Sequence, residues 1–170
     1  MPVDSQILSG VGESQMRLGV ILLNPPEGTG KATRRNLEAG LESFGNPEIR
    51  LANLFATATR NVAAINEVGV KPEGWALARP PIEKVLRSSD QILFGWGVGS
   101  LHGIARQNFL NQIKWLRATA LEMRHDSYWT IGSEPRHPSR WHQYVSDVHG
   151  RTSGGTLSSR LAQVLVRTPL

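Results

Sequence analysis

Residues 18–26 read Leu-Gly-Val-Ile-Leu-Leu-Asn-Pro-Pro, and this stretch decides the fold. Six residues without a polar side chain are short for a helix and suit a strand buried on both faces. Pro25 and Pro26 remove two backbone donors, so the strand must end at Asn24. A strand buried on both faces belongs in a parallel sheet with helices on either side.

Working outward, strand and helix signals alternate. Leu37, Leu41 and Phe44 recur at helical spacing and are closed by Gly45, which predicts a helix over about residues 32–44. Ile49 to Phe55 reads as a second strand, and Val62 and Ile65 mark a short helix. Pro80-Pro81 opens a further helix through Leu86, because proline is tolerated in a first turn. Gln91 to Trp96 is the third strand, His102 to Leu121 the longest helix, and Ser127 to Ile131 the fourth strand. Thr156 to Val166 reads as a last amphipathic helix. The pattern predicts a three-layer α/β/α domain over residues 17–170 with a central four-stranded, mainly parallel sheet. A loose polar lead-in over residues 1–16 precedes it.

The composition sets bounds. A chain of 170 residues can bury a core without staples. With no Cys it has no disulfide framework, thiolate nucleophile or Cys-based zinc site. No apolar run is long enough for a membrane span, and the first residues lack the pattern of a signal peptide, so the expected setting is cytoplasmic. The net charge is +5, and the whole excess falls in residues 101–170, which hold nine basic and four acidic residues and all five His. Fifteen of the 19 basic residues are Arg, whose planar fork suits phosphate. Charge alone fits a phosphate-facing surface and an Arg-rich soluble surface equally well.

In parallel sheets the ligand site lies beyond the carboxyl ends of the strands. Those ends carry Asn24-Pro25-Pro26, Asn53-Leu54-Phe55, Gly95-Trp96-Gly97 and, after the fourth strand, Arg136-His137-Pro138-Ser139-Arg140-Trp141. Asn53 is unusual within an apolar strand, and a buried amide needs a partner. Gly28-Thr29-Gly30-Lys31 fails as a phosphate loop, because Pro25 and Ala32 stand where glycine and a hydroxyl residue are required. Gly95, Gly97 and Gly99 follow the wrong strand for a dinucleotide fingerprint. His, Asp and Glu do not cluster at metal-ligand spacing, and no Ser sits in a nucleophile-elbow pattern.

In this order, Leu22-Leu23-Asn24-Pro25-Pro26, Asn53-Leu54-Phe55-Ala56, Gly95-Trp96-Gly97 and His137-Pro138-Ser139 resemble the motif set of an uncharacterised bacterial domain family. That set is in turn similar to the uracil-DNA glycosylase superfamily. The resemblance implies a catalytic pair, Asn24 to hold the hydrolytic water and His137 to stabilise the departing base. It implies substrate contacts from Pro25, Pro26, Asn53, Phe55 and Trp96, with Asn53 on the base edge and Phe55 as a stacking ring. It implies DNA contacts from Arg136, Ser139, Arg140 and Trp141, with Trp141 filling the gap left by a flipped nucleotide. It calls for no metal or other cofactor.

Four departures leave the substrate and catalytic competence open. Position 24 is Asn rather than the Asp of the most active branch. Pro26 stands where uracil-specific relatives carry an aromatic ring, and Lys31-Ala32-Thr33 stands where the bacterial family has Asp-Pro-Thr. The loop after His137 lacks a second Pro and a Leu wedge.

The expected function is a monofunctional DNA N-glycosylase, acting as a monomer. It would flip and excise uracil or a modified, 5-substituted base, in base-excision repair or in removal of foreign modified DNA. Its partner is DNA, single-stranded DNA or DNA with a modified base among the options, and not a membrane. Two alternatives stand beside it, a non-catalytic nucleic-acid-binding module of the same fold and a hydrolase of a small nucleoside or nucleotide.

Overall fold

The 18–23 run lies inside the sheet, one strand in from its edge. In the computed structural model, which describes residues 14–146, 148, 152 and 154–170, it forms β1 (Arg17–Leu22). β2 (Glu48–Asn53) and β3 (Gln91–Phe94) flank β1 and run parallel to it. β4 (Ser127–Ile131) lies parallel to β3, and β5 (Leu165–Pro169) closes that edge antiparallel to β4. The order is β2-β1-β3-β4-β5. The lead-in up to residue 13 lies outside the described residues.

Successive side chains of a strand point to opposite faces, and β1 shows why it had to be apolar throughout. Leu18, Val20 and Leu22 pack with Leu37, Leu41, Trp141 and Leu161, on the side of α1 (Lys31–Gly40), α5 (Trp141–Tyr144) and α6 (Leu157–Ala162). Ile21 and Leu23 pack with Ile65, Trp75, Ile82 and Leu116. These come from α2 (Val62–Val68), α3 (Glu73–Ser88) and α4 (Gly103–Glu122). Burying each such side chain contributes on the order of 1.5–3 kcal/mol. Gly19 is the gap in the run, and a Cβ there would sit 2.7 Å from Ser89 Oγ and 2.9 Å from Val85 Cγ1. The glycine lets the end of α3 pack against the strand.

The structure corrects two sequence expectations about the elements. The sheet has five strands rather than four, because the expected final helix stops at Ala162 and residues 165–169 become β5. Leu157, Leu161, Val164 and Leu165 keep helical spacing across the junction, so periodicity alone runs through it. Pairing with β4 then overrides the pattern, beginning with Gly132 N–H donating to Val164 O at 2.7 Å. The second correction is that Pro80 and Pro81 lie inside α3, which begins at Glu73. The carbonyls four residues earlier lose their helical donors, but Ala76 and Leu77 are exposed, so water can replace them. Buried Trp75 and Ala78 hold the first half of the helix in place.

Among the described residues no helix is long and apolar enough to cross a membrane.

Candidate active site

β1 through β4 run in one direction, so their carboxyl ends share one edge. The strand order reverses between β1 and β3, the place where open α/β sheets bind ligands. A cleft of about 890 Å³ opens at this edge, within the range of small-molecule and cofactor sites. It is lined by Asn24, Pro25 and Pro26 after β1, Asn53 at the end of β2, and Trp96 after β3. Arg136, His137, Ser139 and Arg140 line it after β4. Nine of the eleven residues singled out in the sequence therefore share one cavity.

The other two do not line it. Phe55 is buried, with its ring 4.7 Å from Trp75 and packed over Gly74. Its N–H donates to Leu23 O at 2.8 Å and extends the strand ladder, which turns the ring into the core on the α3 side. Trp141 is completely buried, and its Nε1 donates to Arg136 O at 2.9 Å. A Trp with a satisfied N–H inside an apolar cluster anchors its segment and cannot act as a wedge between bases.

The two amides in the cleft are held differently. Asn24 Nδ2 donates to Thr59 Oγ1 at 2.9 Å and to Pro25 O at 3.0 Å. Asn53 Oδ1 is shielded from solvent and has no hydrogen-bond partner among the described residues. A buried acceptor without a donor costs about 1–3 kcal/mol, which a ligand N–H would recover once the amide turns Oδ1 toward the cleft.

His137 precedes a short 3-10 turn (Pro138–Arg140) and caps it. Ser139 N–H donates to His137 Nδ1 at 3.2 Å, and Ser139 Oγ lies 2.9 Å from the same nitrogen. Burial holds the imidazole below its ordinary pKa, and the neighbouring Arg140 cation adds to the effect. Nδ1 accepts from a backbone N–H, so the neutral ring carries its hydrogen on Nε2. His137 therefore offers an N–H donor in the cleft that Asn53 also lines.

Arg136, one of the expected DNA contacts, already has partners within the chain. Its Nη2 pairs with Glu134 at 2.6 Å, and its guanidinium lies 4.1 Å from the Tyr144 ring centroid. Among the described residues the Arg140 guanidinium donates only a long 3.4 Å hydrogen bond to Gln143 Oε1, and the residue remains exposed.

Sequence reasoning missed Thr59, Arg34 and Arg60, which also line the cleft. Every charged residue of the lining is an Arg, at positions 34, 60, 136 and 140, with no carboxylate or Lys among them. A balanced charge over residues 1–100 hid the first two. The signal that could have found them is their place just after β1 and β2, at the edge where the site had to be. Among the described residues no group of three or more His, Asp or Glu could hold a metal ion.

Residues 8–139 match the model of the family described as "Protein of unknown function (DUF1643)", and the chain belongs to that family. No curated protein and no solved structure matches the chain.

Proposed function

We propose that this member of the DUF1643 family is a monofunctional DNA N-glycosylase that takes uracil or a 5-substituted base into the cleft. One observation carries the reading, the solvent-shielded Asn53 Oδ1 with no partner in a cavity that also holds the His137 donor. A base with adjacent ring N–H and carbonyl groups answers it. With the Asn53 amide turned toward the cleft, the ring N–H donates to Oδ1 and the carbonyl accepts from Nδ2. The resemblance of the four strand-end motifs to the uracil-DNA glycosylase superfamily, with its three-layer fold, supports the same reading.

In this mechanism the glycosidic bond breaks first, and its electron pair leaves with the base. His137 Nε2–H donates to the base oxygen on which charge develops, an electrostatic contribution from a preorganised donor. Water held by Asn24 Oδ1 then adds to the sugar carbon, and its proton passes to solvent, because an amide cannot accept it. Arg140 and Ser139 hold backbone phosphate. The arginines at the cleft, Arg34 and Arg140 above all, favour a polyanion over a free nucleoside.

The test is incubation with oligonucleotides carrying uracil, 5-substituted uracils and cytosines, and other modified bases, followed by alkaline cleavage. The expected result is strand scission at one class of modified base, lost in His137→Ala. Salt-sensitive binding without scission at any base would leave a non-catalytic module. Release of base from free nucleosides alone would leave a nucleoside hydrolase.

A further inference from the structure

Both hydrogens of Asn24 Nδ2 are engaged, one by Thr59 Oγ1 at 2.9 Å and one by Pro25 O at 3.0 Å. Thr59 Oγ1 donates its own hydrogen to Asn61 O at 3.1 Å, so it meets Asn24 as an acceptor. Asn61 is fixed in turn, since its side chain caps α2 by accepting from Ala64 N–H at 3.0 Å. A parallel bridge between Pro26 and Thr59 keeps the two loops in register. Thr59 is buried, so water does not compete freely for its hydroxyl.

The network has one direction. A flipped amide would set Asn24 Oδ1 against the Pro25 carbonyl oxygen, acceptor against acceptor. The only group of Asn24 left for a ligand is therefore Oδ1, which makes no hydrogen bond among the described residues. A carboxylate at the same position would place negative charge 3.0 Å from the Pro25 carbonyl oxygen with no hydrogen between them. It would also need the Thr59 hydroxyl to abandon Asn61 O.

We infer that Thr59 is a positioning residue that commits position 24 to an amide and turns its oxygen alone toward the ligand. The Asn at this position is then specified by its surroundings and is not a weakened form of an Asp site. The orientation stands on the hydrogen bonds alone, and the role of Oδ1 in holding water rests on the glycosylase reading.

The test uses the full chain with three variants, Thr59→Val, Thr59→Ser and Asn24→Asp. The first readout is hydrogen exchange of the Asn24 side-chain NH₂ by ¹⁵N NMR, with the resonance assigned by its loss in Asn24→Asp. Thr59→Val is expected to speed that exchange about tenfold, the effect of losing one hydrogen bond, and Thr59→Ser to keep the wild-type rate. Unchanged exchange in Thr59→Val would overturn the proposal. The second readout is excision. Thr59→Val should lower kcat with KM nearly unchanged, and Thr59→Ser should restore it. Asn24→Asp should be slower than wild type at neutral pH, and a faster Asn24→Asp would also overturn the proposal, whether or not Thr59→Val folds. If the wild type excises nothing while exchange responds as expected, the positioning role stands and the glycosylase reading fails.

Discussion

The two walls of the cleft hold their polar groups by different means. The wall after β1 and β2 is a hydrogen-bonded lattice. Leu54 N–H and Phe55 N–H extend the strand ladder onto Leu22 O and Leu23 O, and the chain from Asn24 through Thr59 to Asn61 follows. The wall after β4 is held mainly by packing. Trp141 sits at its centre, completely buried, and Pro138 is buried beside it with its carbonyl accepting from the buried Asn36 Nδ2 at 3.0 Å. Arg136 lies over Tyr144, and Gly97 N–H reaches Pro135 O at 2.6 Å. Directional bonds fix which atom of a side chain faces the ligand, whereas packing fixes where a whole segment sits. Damage to the first wall should disturb chemistry before stability, and damage to the second should do the reverse.

The largest effect that would break this contrast is expected at Trp141. Trp141→Ala removes a fully buried ring and leaves Arg136 O without its indole donor, and should destabilise by about 3–5 kcal/mol in urea unfolding. Thr59→Val, which trades the hydroxyl and its two hydrogen bonds for a methyl group of the same shape, should cost about 1–3 kcal/mol. If Thr59→Val proved the more destabilising of the two, the first wall would be structural and the contrast wrong.

The same difference governs how much could be read from the sequence. The β1 run and its Pro25-Pro26 stop gave the parallel sheet and so the address of the site, because burial on both faces leaves a mark in every residue. Asn53 stood out because an amide at the end of an apolar strand demands a partner. Phe55 and Trp141 were misplaced for one reason. An aromatic ring beside a polar motif looks the same in sequence whether it faces a ligand or the core, and only the packing of α3 over Phe55 and of α6 beside Trp141 decides. β5 was hidden because its pairing partner lies some 40 residues away, as in Trp129 opposite Arg167. Thr59 carried no signal, since its role depends on two loops meeting at the Pro26–Thr59 bridge.

Selectivity sharpens the account of the first wall, with an effect of intermediate size. Pro26 is exposed at the cleft, and its Cγ lies 3.0 Å from where a Cβ on Gly30 would be, whereas a Cβ on Gly28 would meet nothing within 4 Å. On the proposed reading the wild type accepts 5-substituted pyrimidines, and Pro26→Tyr penalises them relative to uracil about 10–200-fold in kcat/KM. Competition between uracil and 5-substituted oligonucleotides measures this. An unchanged preference would show that position 26 is not the gate.

Salt dependence separates two arginines on the second wall. Arg140 is exposed and pairs with no carboxylate among the described residues, whereas Arg136 is matched by Glu134 and stacked on Tyr144. Arg140→Ala should reduce the slope of log affinity against log salt by about one and weaken DNA sequences alike. Arg136→Ala should leave the slope nearly unchanged and lower the melting temperature instead. Equal slope changes in the two variants would mean that Arg136 exchanges Glu134 for phosphate when DNA binds.

The smallest expected effect is the pH response of the segment around His137. Burial and then Arg140 hold its pKa below 6.5, while the unfolded chain keeps the ordinary value. Between the lowered value and 6.5 the unfolded state binds more protons than the folded one, so stability rises with pH across that window. Stability is lost as pH falls toward the folded value. Protonation also removes the Nδ1 lone pair that accepts from Ser139 N–H, so the cap on the 3-10 turn opens as the proton binds. Urea unfolding at pH values on either side of the window should show the wild type losing more stability than His137→Gln. Arg140→Ala should narrow the difference by removing the second cause of the shift. Excision should decline on the acid side with the midpoint that NMR gives for His137. If His137→Gln matched the wild type at both pH values, the imidazole would titrate no differently in the folded chain than in the unfolded one, and its place in the cleft would have to be more open than the structure shows.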